Sequence, residues 1–206
     1  HIPNGGPVVL LNNGKLARRF GDRTREWQLR DAKGKGLFST LLAVSDLDGD
    51  GYPDLLGYGH TGGVVARNMV GRKFVVQEDV RFGYPVRVKR PLPPALGDMD
   101  NDGDQDILSL ANGRPRLLRN NGGFQFSSVK PVPAVFSELK NASAAVWVDA
   151  DKDGLQDIVI GFVDQAPRLY INVGEGQFRD ATAESAIDQP GLPRPVTGIV
   201  ATDWDG

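Results

Sequence analysis

Four aspartates fall within nine residues at Asp46-Leu47-Asp48-Gly49-Asp50-Gly51-Tyr52-Pro53-Asp54. Asp46, Asp48 and Asp50 alternate, Gly51 permits a sharp turn, and Asp54 closes the stretch. Carboxylates held this close repel one another unless a cation sits among them. Their oxygens are hard donors, and Ca²⁺ takes roughly six to eight such oxygens at about 2.3–2.6 Å. The bland alternative is a solvated acidic turn.

Repetition argues against that alternative. Asp98-Met99-Asp100-Asn101-Asp102-Gly103-Asp104-Gln105-Asp106 is a second copy, and Asp149-Ala150-Asp151-Lys152-Asp153-Gly154-Leu155-Gln156-Asp157 is a third. A fourth begins with Asp203-Trp204-Asp205-Gly206. The first aspartates are spaced by 52, 51 and 54 residues. A fixed period of this size marks a repeat architecture.

An EF-hand places a bidentate Glu at loop position twelve and a helix on either side. Here position twelve is Gly57, Ser109 and Ile160. The flanks are short apolar runs of strand length: Leu41 to Val44 before the first loop, Ala145 to Val148 before the third, and Leu55-Leu56, Ile107 to Leu110 and Ile158 to Ile160 after the three. The acidic loop therefore joins two strands.

A second signal keeps the same period. Asn68, Asn120 and Asn172 are each 52 residues apart. Each ends an apolar run and precedes a Gly-containing turn and a Phe, namely Phe74, Phe124 and Phe178. Near the start, Val8 to Leu11, Asn12-Asn13-Gly14 and Leu16 to Phe20 read as a hairpin, since Asn-Gly between apolar runs favours one. Each repeat thus reads as four strands in about 50 residues with no helical pattern, which describes one blade of a propeller. A single blade cannot bury both of its faces, and stacked neighbours bury them for it. The expected fold is all-β: a propeller segment of about four blades forming a single domain or fragment over 1–206. Its repeats are 1–38 (partial), 39–90, 91–142, 143–195 and 196–206 (partial). The stretch from Phe178 to Ala186 fits a short helical turn.

Of 206 residues, 40% are hydrophobic, with 26 Gly and 14 Pro, which favours turns over long helices. No stretch has the length of a membrane span. The chain begins with His1, as a processed chain or a piece of a longer one would. It has no Cys, which excludes disulfides and thiolate chemistry. Weak Ca²⁺ sites fill at extracellular rather than cytosolic calcium, so the expected location is secreted, periplasmic or cell-surface. Fifteen of the 26 acidic residues lie in the four loops. Three bound Ca²⁺ would turn the formal charge from −2 to +4 and leave a basic surface.

The loops resemble the D-x-D-x-D-G-x-x-D calcium loops of FG-GAP/VCBS repeats, a family that includes integrin α-chain propellers and many secreted bacterial proteins. Tyr170 to Ala186 and Gly198 to Gly206 look most like repeats of the bacterial and cartilage-acidic-protein type. The resemblance implies Asp46, Asp48, Asp50 and Asp54 as ligands, with the backbone carbonyl of Tyr52. In the second loop it implies Asp98, Asp100, Asp102 and Asp106 with the carbonyl of Asp104. In the third it implies Asp149, Asp151, Asp153 and Asp157 with that of Leu155. Asp203 and Asp205 open a truncated fourth site. Family propellers usually have six to eight blades, and the Phe-Gly and Gly-Ala-Pro signatures of the family are poorly matched here.

In an antiparallel blade the metal loops and Asn/Gly turns share one face, and the variable linkers lie on the other. Variable loops on a rigid frame are where binding usually resides. Arg23, Arg25, Arg30, Lys33 and Lys35, then Arg81, Arg87, Lys89 and Arg90, suit a protein surface or an anionic glycan there. They equally suit a solubilising role. Missing blades could come from other subunits of a larger assembly. An enzyme, such as a polysaccharide lyase or hydrolase, has thin support: His60 is a candidate, but no nucleophile motif is present. Metal sites saturated by protein oxygens lack the open position of a catalytic ion. No nucleic-acid-binding motif is found.

Overall fold

A computed structural model describes residues 10–12, 20–22, 29, 38, 40–59, 63–77, 92–130, 133–188 and 195–202. Short apolar runs become strands, and acidic and Asn/Gly stretches become turns. The chain divides into two units, His1–Arg87 and Val88–Gly206.

The first unit opens with a hairpin, β1 (Leu10–Asn12) and β2 (Phe20–Asp22). Its register differs from the tight Asn-Gly hairpin expected from sequence. Asn12 pairs with Phe20, so residues 13–19 lie between them. The same Asn-to-Phe pairing recurs in every sheet. A four-stranded antiparallel sheet follows, formed by β3 (Thr40–Ser45), β4 (Asp54–Tyr58), β5 (Gly63–Asn68) and β6 (Phe74–Gln77), in chain order. All of β4 is buried, as expected of a short, nearly continuous apolar strand between neighbours. Leu29, Phe38, Leu55, Ala66 and Phe74 form the core.

The second unit holds two more sheets of the same kind. One comprises β7 (Ala95–Gly97), β8 (Asp106–Ser109), β9 (Arg116–Asn120) and β10 (Phe126–Ser128). The other comprises β11 (Ala142–Val148), β12 (Asp157–Phe162), β13 (Arg168–Asn172) and β14 (Phe178–Asp180). Each is an antiparallel meander in chain order. These are propeller blades, and the described residues are all-β apart from three short turns of helix. One of these, α2 (Thr182–Ser185), lies where the sequence predicts it. The others, α1 (Ala134–Ser137) and a 3-10 turn at Ala111–Gly113, are too short to leave a periodic pattern. In β10 the residue paired with Asn120 is Phe126. Phe124, expected at that position, instead sits in the turn with φ 66°.

The inner strands β8 and β12 are buried along their whole length, and the two sheets of this unit bury facing sides together. Ala95, Leu108 and Leu117 of the first meet Trp147, Ile158, Ile160, Tyr170 and Phe178 of the second in one core. Phe136 of α1 caps it, with its ring edge-on to Tyr170 at 5.1 Å. The two sheets come close at Gly97. A methyl there would collide with Trp147 Cγ and lie 2.5 Å from Gln156 Oε1. Gly97→Ala is therefore expected to destabilise the protein by about 2 kcal/mol through overpacking. That corresponds to a fall of about 5 °C in Tm for a chain of this size. A wild-type melting curve for this variant would contradict the packing.

Candidate metal centre

Each acidic loop is held by its own backbone. The first aspartate accepts hydrogen bonds from N–H groups four and five residues on. Asp46 Oδ1 accepts from Asp50 N at 3.1 Å and Oδ2 from Gly51 N at 2.8 Å. Asp98 does the same with Asp102 N and Gly103 N, at 3.2 and 2.9 Å. Asp149 accepts from Gly154 N at 3.1 Å. The third aspartate turns back on the residue two further along: Tyr52, Asp104 and Leu155 N–H donate to Asp50, Asp102 and Asp153 at 2.8–2.9 Å. Gly51, Gly103 and Gly154 have φ of 85°, 92° and 89°. This left-handed backbone is why glycine recurs at that loop position.

The closing aspartate has a role that sequence alone does not reveal. Asp54, Asp106 and Asp157 are fully buried. One carboxylate oxygen of each accepts from the second loop residue, Leu47, Met99 or Ala150, at 2.7–2.9 Å. The other accepts from the N–H of Asn68, Asn120 or Asn172 at 2.7–2.8 Å. Those asparagines are themselves at most 4% exposed. Their side-chain amides donate to the carbonyl just before the closing aspartate: Pro53, Gln105 or Gln156. Their amide oxygens accept from Gly71, Gly122 or Gly174 in the hairpin turn. The loop and the Asn/Gly turn therefore lie side by side, joined through one Asn. The 52-residue spacing of the asparagines was the available signal; their role as a hub was not legible without the strand register.

In the second unit the loops of adjacent blades also touch. Asn101 Nδ2 donates to Gly154 O at 2.8 Å, Asp98 N donates to Gln156 Oε1 at 2.9 Å, and Asn172 Nδ2 donates to Met99 O at 2.8 Å.

Among the described residues three sets of carboxylates converge: Asp46, Asp48 and Asp50; Asp98, Asp100 and Asp106; and Asp149, Asp151 and Asp157. Within each set one oxygen per residue lies within 4.8 Å of the others. Each set could hold a metal ion. Asp54, Asp102 and Asp153 stand in the same loops but outside these triplets. The carbonyls of Tyr52, Asp104 and Leu155 belong to residues whose N–H groups already brace the loop. Asp203, Asp205, His60 and the basic clusters from Arg23 to Lys35 and Arg81 to Arg90 lie outside the described residues.

The donor set fits a hard cation. Every side-chain donor is a carboxylate oxygen. Asp100 Oδ1 is buried and accepts no hydrogen bond, an arrangement that costs free energy unless something positive is nearby. Burial, as the largest cause, raises Asp54 from its ordinary 3.8 to about 6 and Asp106 to about 7, against the lowering effect of their backbone donors. It also raises Asp48, Asp100 and Asp157. Two arginines, neither singled out from sequence, approach the first two clusters. Arg67 Nη2 lies 2.5 Å from Asp48 Oδ2 and 3.4 Å from Asp50 Oδ2, and Arg119 Nε lies 3.1 Å from Asp100 Oδ2.

Fold and site together define a repeat protein built of propeller blades, each carrying an acidic loop at the same corner. The chain belongs to the FG-GAP repeat family: residues 98–160 and 149–206 match the FG-GAP-like repeat. Over 115 residues, 54% of the chain, it is 27% identical to cartilage acidic protein 1 of Xenopus tropicalis, of which it spans only 17%. Its fold is similar to that of an Agrocybe aegerita lectin that recognises non-reducing terminal N-acetylglucosamine. That likeness has a TM-score of 0.57 at 23% identity and covers 90% of this chain and 50% of the lectin chain. No helix among the described residues is long and apolar enough to cross a membrane.

Proposed function

We propose that the chain is a calcium-stabilised, extracytoplasmic binding or assembly module. The observation that carries this reading is the recurrence of a convergent carboxylate triplet, always including the first two loop aspartates, beside the same buried Asp–Asn clamp in three successive blades. Ca²⁺ is the assigned ion because all donors are hard oxygens, a set that suits its high and irregular coordination number. The assigned ligands are Asp46, Asp48, Asp50 and Asp54; Asp98, Asp100, Asp102 and Asp106; and Asp149, Asp151, Asp153 and Asp157. Carbonyls of Tyr52, Asp104 and Leu155 complete the three sites, and Asp203 and Asp205 begin a fourth. The ions are structural. The repeats 39–90, 91–142 and 143–195 are the working units of one propeller domain.

The partner is a protein or an anionic glycan engaged by the linker face, or further subunits of an assembly. Support for this comes from the basic residues that the linkers carry and from the likeness to a relative named for cartilage, an extracellular tissue. Calcium binding is tested by comparing two substitutions in millimolar calcium. Asp100→Ala, which removes a converging carboxylate, is expected to lower Tm by several degrees. Asp188→Ala, which removes an exposed carboxylate outside every loop, is expected to leave it unchanged. Equal effects would defeat the assignment.

A further inference from the structure

We propose that Arg67 and Arg119 are built-in rivals of the cation in the first and second loops, and that the third loop, which lacks such a residue, is the tight metal site. The inference rests on the calcium reading above.

The two arginines occupy one repeat position, immediately before the hub asparagine, on β5 and β9. Each reaches from its own strand into the loop of its own blade. Arg67 bridges Asp48 and Asp50, two of the three converging carboxylates of the first loop. Arg119 pairs with Asp100 of the second triplet. These are not loose rim contacts. The Asp48 side chain is 2% exposed and that of Asp100 19%, while the arginines are about two-thirds buried. Shielded pairs of this kind are screened less by salt than surface pairs are. A guanidinium supplies positive charge and N–H donors to the carboxylates a Ca²⁺ ion would coordinate. Entry of the ion requires the arginine to withdraw or to share an oxygen, and either weakens binding.

The third blade is different. The equivalent residue is Ile171, 5% exposed and packed with Val159, Leu169 and Ala181. Lys152, the cation in that loop, is exposed and sits on the loop itself. It forms no ion pair with the triplet, so its charge acts through solvent. Among the described residues, Asp149, Asp151 and Asp157 therefore converge without a cationic substitute. Metal-free, the first two loops are partly neutralised from within, whereas the third bears its repulsion in full.

The test is calorimetric titration of calcium chloride into the full chain after removal of divalent cations. The wild type is expected to show one tight site and two sites about tenfold weaker, the size of effect a unit charge has at a partly buried position. Arg67→Met and Arg119→Met should each move one site from the weak to the tight class, and the double variant should show three tight sites. Both should also lower the Tm of the metal-free protein while leaving the calcium-loaded Tm near wild type. Asp151→Asn should abolish the tight class of the wild type. Ile171→Arg runs the experiment in the opposite direction and should weaken it. Unchanged or weaker binding in both arginine variants would overturn the proposal. A wild type that takes up no calcium would instead overturn the functional reading on which it stands, and the proposal with it.

Discussion

Removing divalent cations is expected to lower Tm by about 15 °C at pH 7.5 and by far less at pH 5. A site at a hundredfold excess of free ion over Kd contributes about 2.7 kcal/mol of stability. Two further sites about tenfold weaker contribute about 1.4 kcal/mol each, so the three together contribute about 5.5 kcal/mol, and each kcal/mol is worth about 2–4 °C in a chain of this length. The pH dependence follows from the buried aspartates. Asp54 and Asp106 are raised from 3.8 to about 6 and about 7, chiefly by burial. Without metal, the folded protein therefore binds protons more readily than the unfolded chain. The stabilisation this provides is full below about pH 4 and is lost as pH rises through 6 to 7. Bound calcium holds the same carboxylates ionised, so protons oppose it and the loaded protein gains stability over that range. The metal-free and metal-loaded curves should diverge as pH rises. Melting followed by circular dichroism at pH 5, 6 and 7.5, with and without chelator, measures this. Parallel curves would show that the buried aspartates do not sense the ion.

Asp106→Ala should be more damaging than Asp102→Ala, and it should remain so after chelation. Asp106 is fully buried, and its two oxygens accept from Met99 N and Asn120 N. Truncation leaves both donors buried without partners, at about 1–3 kcal/mol each. It also opens a cavity next to the hub asparagine. A loss of about 4 kcal/mol is expected in either calcium or chelator. Asp102 is exposed and accepts a single bond from Asp104 N. Its removal should matter in calcium and cost under about 1 kcal/mol without it. Denaturant titration of the two variants in both buffers separates the effects. An Asp106→Ala variant that loses stability only in calcium would show that Asp106 acts as a ligand alone and not as a clamp.

The acidic loops were legible in sequence because their signal is local: aspartates alternate, and a glycine stands where the backbone turns left-handed. The strands beside them were legible as apolar runs between turn residues. The division of labour within a loop was not legible. All four aspartates look alike in sequence, yet Asp54, Asp106 and Asp157 spend both oxygens on backbone N–H groups, one of them 14 or 15 residues away. That partner is set by strand register, which depends on long-range packing. Register also moved the Phe of the second blade from Phe124 to Phe126. Arg67 and Arg119 were invisible for a related reason. A single basic residue in a strand acquires meaning only when pairing swings it over a loop.

The asparagine hub also bears on how such a protein can grow. The closing aspartate and its asparagine are 14 residues apart in two blades and 15 in the third. The third blade takes up its extra residue between Ile160 and Arg168, beyond the last paired residues of β12 and β13. The hairpin can therefore lengthen at its far end while the clamp stays in register. A segment cut anywhere in the linkers carries its clamp, loop and turn away intact, and the face it presents to a neighbour comes with it. Duplication of such a segment yields a blade whose acidic loop is already braced. An insertion is harmless in a linker or at the far end of the hairpin, but ruinous among the paired residues next to the clamp. Length variation in descendants of this chain should accordingly accumulate away from the acidic loops, leaving the clamped acidic corner as the inherited unit.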